Sequence, residues 1–222
     1  MKILFLADNF VPERNAQAST VYERACYWTA WGHEVTVITC APNFPEGEVY
    51  SGYVNRWHFV ETISGIRVVR VKTFISGNKG RWLRIADYIS YGVASFVAGL
   101  FEKKPDVIVA TSPQFFAAVS GCALATVRGR PFVMEIRDLW PESIVAVGAM
   151  KRRLPLILLE RLEMHLYKRA AVIVALTGAF KDNLVSRGVP EKRITVVING
   201  VDLSRFQPKE RDDSLAAEWG LS

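Results

Sequence analysis

The residues with the clearest potential for chemistry follow one short apolar segment. Residues 132–134 are strand-like, and charged side chains then appear in quick succession at Glu135, Arg137, Asp138 and Glu142. In an open α/β sheet, ligands bind in the crevice beyond the carboxyl ends of the strands. The cluster therefore predicts a ligand site at the end of this strand. The alternative is a local ion pair that caps a helix beginning at Pro141, where the helix dipole would favour Glu142.

A second polar segment, residues 8–18, follows the first predicted strand and contains no glycine. A dinucleotide-binding loop needs glycine for its tight turn and for the close approach of the backbone to the pyrophosphate. The sequence also lacks a GxxxxGK(S/T) motif, so it argues against an NAD or FAD enzyme and excludes a P-loop NTPase. A helix amino terminus behind Asn15 and Gln17 remains, which can bind an anion or a sugar hydroxyl. An ordinary strand-to-helix loop is the alternative.

Ser112 and Gln114 follow another predicted parallel strand and lie at the same carboxyl edge. Both are candidate ligand contacts, although either can instead cap the helix that begins there. The cysteines are far apart and show no CxxC spacing; they are Cys26, Cys40 and Cys122. An odd, scattered set predicts free thiols, with neither a disulfide framework nor a zinc site.

Hydrophobic periodicity predicts the elements that position these residues. A strand, a polar loop, a helix and a second strand fill residues 2–40, and this βαβ unit predicts a parallel sheet. Further strands are predicted at 58–62, 66–73, 106–111, 132–134, 172–176 and 193–198, the first two as a hairpin. Helices are predicted from Ser19 or Thr20 to about Trp31, at 82–104, 112–128, 151–171 and 177–188, and from 213. The expected fold class is α/β, with a parallel sheet flanked by helices.

Length and composition set broad limits on the function. The chain has 222 residues, half of them hydrophobic, which suffices for one large α/β domain or two small ones. A net charge of +6 permits an anionic partner such as phosphate, a lipid headgroup or nucleic acid. Nucleic-acid binding is disfavoured because no basic stripe with interleaved aromatic residues occurs. No secretory signal is recognised at the amino terminus, so a cytoplasmic location is expected.

Two helices and one loop bear on a membrane or sugar partner. The apolar part of the helix at 82–104 is too short to cross a membrane, so we predict that it is buried against the sheet. The basic amphipathic helix at 151–171 is predicted to form the outer layer of the domain, and contact with an anionic membrane is its alternative. The loop at 41–57 carries three aromatic side chains, Tyr50, Tyr53 and Trp57. Their rings are expected either to stack on a sugar or lie at an interface, or to fold back onto the core.

Several segments together resemble the amino-terminal half of GT-B glycosyltransferases of family 4, and most closely enzymes that build bacterial surface polysaccharides on lipid carriers. The segments are KILFLADNFVPE, WGHEVTVIT, GIRVVRV, PDVIVATSP, RDLWPES, VALTGAF and ITVVINGVDLSRFQP. The resemblance implies a Rossmann-like acceptor-binding domain at 1–198. It implies a linker at 199–222, with hinge residues Asn199, Gly200 and Asp202, that begins a missing nucleotide-sugar-binding domain. The implied reaction is retaining hexosyl transfer, for which the chain alone would be inactive.

The resemblance also implies roles for individual residues. Asn15, Ala16 and Gln17 occupy the place where many relatives carry a glycine pair near the donor phosphates. With them, the expected contacts to acceptor or donor phosphate are Ser112, Gln114 and Glu142. Arg137 stands where many relatives have a histidine, and a guanidinium cannot act as a base at neutral pH but can pair with phosphate. We therefore expect Arg137 to act electrostatically, and Asp138 to orient an acceptor hydroxyl or to hold Arg137, while the leaving diphosphate takes the proton.

The expected partners follow from the same resemblance. They are a nucleotide-sugar donor, which is a substrate rather than a cofactor, a glycan or lipid-linked acceptor, and an anionic inner membrane face contacted by residues 79–84 and 151–169. No metal is implied. Two other hypotheses stay open: a stand-alone module that binds a glycolipid or glycan without chemistry, and a hydrolase or epimerase on the same scaffold.

Overall fold

The computed structural model describes residues 1–77, 80–112, 114–139, 153–201, 203, 206–208 and 211–220. The strands are β1 (Lys2–Leu6), β2 (Glu34–Cys40), β3 (His58–Ile63), β4 (Ile66–Val71), β5 (Val107–Thr111), β6 (Phe132–Ile136), β7 (Val172–Ala175) and β8 (Ile194–Val196). The helices of the described residues are α1 (Ala16–Ala30), α2 (Arg81–Phe101), α3 (Phe115–Arg128), α4 (Arg153–Arg169), α5 (Gly178–Ser186) and α6 (Asp213–Glu218).

The strands form one eight-stranded sheet in the order β3-β4-β2-β1-β5-β6-β7-β8. All neighbours are parallel except the β3–β4 hairpin, which is antiparallel. The predicted α/β class with a Rossmann-like parallel sheet is therefore confirmed, as is the hairpin. Because β1, β5 and β6 are adjacent and parallel, their carboxyl ends lie side by side at one edge of the sheet.

Hydrophobic residues on the two faces of the sheet make two cores. On one face, Phe5 and Val37 pack beneath α1 with Val21 and Ala25. On the other face, Leu6 and Ile38 pack with residues of α2, α3 and α4 such as Leu124 and Leu166. A strand such as β1, whose residues 3–6 are all buried, must be apolar throughout because both of its faces are covered.

Helices α2 and α3 lie unusually close together. A Cβ atom on Gly99 would stand 2.3 Å from Cδ2 of Leu124, and one on Gly92 would stand 3.0 Å from Cβ of Phe116. Glycine at these two positions therefore allows the helices to pack backbone against side chain.

Two predictions about helices need correction. Helix α1 begins at Ala16, not at Ser19 or Thr20, because the side chain of Asn15 accepts a hydrogen bond from the Ala18 N–H and caps the helix earlier. Helix α2 packs against the sheet, as predicted, but its outer face is not buried, since Val93 and Val97 are 59% and 47% exposed. In the described part of the chain, no helix combines the length and the apolar character needed to cross a membrane. The three cysteines are free, as predicted.

Candidate ligand-binding site

A polar cavity of about 380 Å³ opens at the carboxyl edge of the sheet, between the ends of β1 and β2, the start of α1 and the first turns of α2. Its volume lies within the range of small-ligand pockets. Its lining is rich in carboxylates, amides and aromatic rings: Asp8, Asn9, Asn15, Gln17, Cys40, Asn43, Phe44, Pro45, Gly47, Ser76, Arg84, Asp87, Tyr88, Tyr91 and Gln114.

Asp8 lines this cavity, two residues after the end of β1. Its carboxylate accepts a hydrogen bond of 2.8 Å from Nε2 of Gln17. Its backbone carbonyl accepts hydrogen bonds from Oγ1 of Thr39 and Sγ of Cys40, at 2.8 and 2.9 Å, so the residue is fixed against β2. Burial raises the pKa of Asp8, while the hydrogen bond from Gln17 opposes the rise.

Asp87 supplies a second carboxylate to the cavity from α2. Burial, together with the charge of Asp8, raises the pKa of Asp87 to about 6. The negative charge of Asp8 thus acts on the Asp87 carboxyl group across the cavity. Carboxyl groups with a raised pKa inside a cleft are typical of functional sites.

Two amide side chains in the lining also cap the starts of helices. Asn15 caps α1 and donates from Nδ2 to Oδ1 of Asn9 at 2.9 Å. Gln114 caps α3 through a 2.6 Å hydrogen bond from the Ala117 N–H to its Oε1, and its Nε2 donates to the Tyr88 carbonyl at 3.1 Å. These contacts fix the orientation of the amides towards the cavity before any ligand is bound.

The loop that closes one side of the cavity is held by a buried carboxylate. Oε1 of Glu13 accepts hydrogen bonds from the Asn43 and Phe44 N–H groups at 2.8 and 2.9 Å, and Oε2 accepts from the Phe10 N–H at 3.2 Å. Burial raises the pKa of Glu13 in spite of these donors. The guanidinium of Arg70 adds a second tie, since it donates to the carbonyls of Cys40 and Val11.

A charged cluster occupies the neighbouring part of the same edge, at the end of β6. The buried Glu135 accepts a 2.5 Å hydrogen bond from Nη1 of Arg24 and lies 3.4 Å from Nε of Arg137. Burial lowers the pKa of Arg137, and the charge of Glu135 opposes this effect. The Arg137 N–H donates to Oγ of Ser112 at 2.9 Å, and its Nη2 donates to Oδ1 of Asn199 at 3.2 Å.

The structure distributes the predicted site residues between these two places. Asn15, Gln17 and Gln114 line the cavity, whereas Ala16 is exposed at the start of α1 outside that lining. Ser112 is 4% exposed, and its hydroxyl accepts the Arg137 N–H. The half-buried Asp138 follows Arg137, Gly200 is exposed beyond β8, and Glu142 and Asp202 lie outside the described residues.

Sequence reasoning missed several residues that shape the site. Asp8 and Asn9 come two and three residues after the end of β1, so the same carboxyl-edge rule that selected Ser112 would have selected them. Asp87 is the one charged residue between Ile85 and Phe101, which is a visible signal for a polar contact. The sequence around Glu13 does not mark it, because two of its three backbone donors, the Asn43 and Phe44 N–H groups, lie 30 or more positions away in the chain.

The chemistry of the cavity suits a ligand with many hydroxyl groups. Carboxylates accept hydrogen bonds from hydroxyls, and amides both donate and accept, while the rings of Phe44 and Tyr88 provide flat apolar surfaces beside them. Among the residues that the structure describes, no group of three or more His, Cys, Asp or Glu side chains could hold a metal ion.

Comparisons with known proteins find a family model and curated relatives that match most of the chain. The model of Glycosyltransferase Family 4 matches residues 17–205. The chain is 25% identical over 215 residues to the putative colanic acid biosynthesis glycosyl transferase WcaI of Escherichia coli K12, covering 93% of this chain and 52% of WcaI. It is 27% identical over 222 residues to a GDP-mannose-dependent alpha-mannosyltransferase of Mycobacterium tuberculosis, covering 99% of this chain and 52% of that protein.

Solved structures show the same fold. Anabaena Alr3699/HepE in complex with UDP-glucose superposes with a TM-score of 0.61 at 17% identity, covering 99% of this chain and 50% of that one. The chain therefore spans about half the length of the curated relatives and of the solved structure that it matches.

Proposed function

This chain belongs to Glycosyltransferase Family 4, and from that premise we propose that it forms the acceptor-binding half of a retaining, nucleotide-sugar-dependent glycosyltransferase. Both curated relatives are named as glycosyltransferases, and one of them as a putative colanic acid biosynthesis glycosyl transferase. We place the reaction in the biosynthesis of a surface polysaccharide or glycolipid. In this proposal residues 1–198 form the acceptor domain and residues 199–222 lead to a donor domain.

The cavity between Asp8 and Asp87 is the observation that carries the proposal. It offers two carboxylates, five amide side chains and three aromatic rings within about 380 Å³, which is the composition that a sugar needs for hydrogen bonding and stacking. The amides of Asn15 and Gln114 are already fixed by their helix caps, so binding would cost little ordering of side chains.

The proposed reaction joins the acceptor to the sugar of the donor. The acceptor hydroxyl oxygen forms a bond to the anomeric carbon, the bond from that carbon to the diphosphate oxygen breaks, and the leaving diphosphate takes the hydroxyl proton. Arg137 would stabilise the negative charge that develops on the phosphate, since a guanidinium stays protonated at neutral pH. Asp138 would orient the acceptor hydroxyl.

We further propose that the nucleotide-sugar is the only small molecule that the reaction requires besides the acceptor. The donor would be gripped chiefly by the second domain. The chain of 222 residues would then bind an acceptor without transferring sugar to it.

The acceptor part of the proposal is tested by ligand-observed NMR or calorimetry with oligosaccharide fragments of bacterial surface polysaccharides. A fragment should bind the chain, and Asp87→Asn should weaken binding at pH 7.5 by about tenfold or more, since a hydrogen bond to a charged group contributes about 1.5–3 kcal/mol. Glu191→Gln, which changes an exposed carboxylate outside the cavity, should leave binding unchanged. Equal effects of both substitutions would refute the site.

The reaction class is tested by product analysis of a protein that contains both domains, supplied with UDP-glucose or GDP-mannose and the acceptor fragment. Retaining transfer gives a glycoside with the anomeric configuration of the donor, which NMR resolves. Release of free sugar would identify a hydrolase, and conversion of the donor sugar would identify an epimerase. Binding without any product would favour a glycan-binding module.

A further inference from the structure

The outer face of α2 carries an apolar stripe that faces solvent. Ile89, Val93, Val97 and Phe101 recur at every fourth residue and are 42%, 59%, 47% and 84% exposed. Residues four apart lie on one face of a helix, so these side chains form one continuous strip. A helix that is hydrophobic on all sides is normally covered on all sides, and the strip therefore points to a partner.

Val93, Val97 and Phe101 of this strip lie on one wall of a groove of about 850 Å³. The start of β3 and the segment that follows β4 form the other wall. Trp57 and Phe74 stand on this second wall and are 79% and 48% exposed. The lining is almost wholly apolar, and its ionisable members are Lys72 and His58. Nζ of Lys72 lies 4.9 Å from the centre of the Trp57 ring.

Exposed cations flank residues of the groove in the sequence, while the carboxylate of Glu102 is paired with another residue. Lys103 and Lys104 are exposed and follow Phe101 directly at the end of α2, and Arg56 is exposed beside Trp57. Glu102 is 8% exposed and forms a two-pronged ion pair with Arg67. The surface therefore combines exposed aromatic and aliphatic side chains with a positive rim.

We propose that this groove docks the domain on a membrane surface rich in anionic phospholipid. Exposed Trp and Phe side chains enter the boundary between headgroups and acyl chains, while lysines at the rim attract the negative headgroups. A second copy of the chain fits the charge less well. In a two-fold dimer the same patch faces itself, which would bring the two lysine rims together.

The groove and the sugar cavity are neighbours, which gives the docking a consequence. The Phe74 N–H donates to Oγ of Ser90 at 2.8 Å, and that hydroxyl donates to the carbonyl of Asp87 at 2.7 Å. Phe74 lines the groove and Asp87 lines the cavity. This consequence rests on the proposed function: a membrane bound at the groove would hold a lipid-linked acceptor beside the cavity. The docking itself does not depend on that function.

Vesicle co-sedimentation of the purified full chain tests the proposal. Vesicles of phosphatidylglycerol and phosphatidylcholine should bind the chain at low salt, and pure phosphatidylcholine vesicles should bind it far less. Val97→Asp should lower the partition coefficient by at least about tenfold, because it replaces an inserted apolar side chain with a charge. Val127→Asp is the matched control: Val127 is a helical valine, 65% exposed, outside the groove, and its variant should bind as the wild type does.

A second variant tests the charged rim without touching the apolar strip. Lys103→Ala with Lys104→Ala should weaken binding to anionic vesicles by about fivefold for each lysine, since each contributes about 1 kcal/mol near a charged surface. Circular dichroism should show that every variant is folded. No binding of the wild type to anionic vesicles at low salt would overturn the proposal, as would equal loss in Val97→Asp and Val127→Asp. Concentration-dependent dimerisation abolished by Val97→Asp would also overturn it and assign the groove to a second copy.

Discussion

The guanidinium of Arg137 donates to the side-chain carbonyl of Asn199 at 3.2 Å, across 62 positions of the chain. Arg137 lies at the end of β6, and Asn199 lies in the segment that leaves β8. Glu135 holds the other side of the guanidinium. The site at the carboxyl edge is therefore tied mechanically to the segment predicted to be the hinge.

Substitution of Glu135 tests how far this cluster depends on its carboxylate. Glu135→Gln leaves Arg24 and Arg137 near each other without the buried negative charge that separates them. We expect the free energy of unfolding at pH 7 to fall by about 3 kcal/mol, the range found when one partner of a buried ion pair is removed. Urea denaturation measures this free energy of unfolding. Glu191→Gln, which breaks the exposed pair with Lys181, should leave the midpoint unchanged, and an equal loss there would contradict the argument.

Asp87→Asn should stabilise the chain in a pH-dependent way. The pKa of Asp87 is raised to about 6 in the folded state, so between about pH 4 and pH 6 the folded protein binds more protons than the unfolded one and the stability falls as pH rises. The variant avoids this loss. Above pH 6 it should be more stable by about 1–2 kcal/mol after solvent screening, and below pH 4 the difference should vanish. Thermal unfolding of both proteins across this pH range measures the difference. A difference in stability that does not change with pH would contradict the raised pKa of Asp87.

Gln17→Leu should lower the stability of the chain, because it removes the amide that donates a hydrogen bond to the Asp8 carboxylate. The hydrogen bond from Gln17 lowers the pKa of a carboxyl group that burial raises. We expect a loss of stability of about 1–3 kcal/mol at pH 7, which shrinks at acid pH because Asp8 then becomes protonated. Chemical denaturation at the two pH values measures it. Gln207→Leu changes an exposed glutamine and should have no such effect.

Gly47→Ala should disturb the cavity through its backbone. Gly47 has φ +72°, and a Cβ there would stand 2.3 Å from Cα of Gly77, so the loop that contains it would have to move. Gly52 in the same loop has φ +86° and open space around its Cβ position. Both substitutions carry similar backbone strain, so Gly47→Ala should be the more destabilising by about 1–3 kcal/mol, the cost of overpacking. Matching thermal midpoints for the two variants would disprove the close contact.

Much of the architecture could be predicted from the sequence. The β1–α1–β2 unit, the β3–β4 hairpin and the later parallel strands follow from local periodicity and from the right-handed crossover that joins parallel strands. The rule that ligands bind beyond the carboxyl ends of the strands selected Asn15, Gln114 and Arg137, and in the structure these residues follow or line that edge of the sheet. The roles assigned to these residues in binding and transfer remain predictions.

The sequence by itself determined the order of the elements and the edge at which polar side chains collect, because both depend on short-range patterns. Only the tertiary structure decided that Asp87 shares a cavity with Asp8, that Glu135 lies between Arg24 and Arg137, and that the outer face of α2 is open to solvent. These facts depend on contacts between segments far apart in the chain. A helix that is apolar on every side carries no signal of which face its neighbours will leave uncovered.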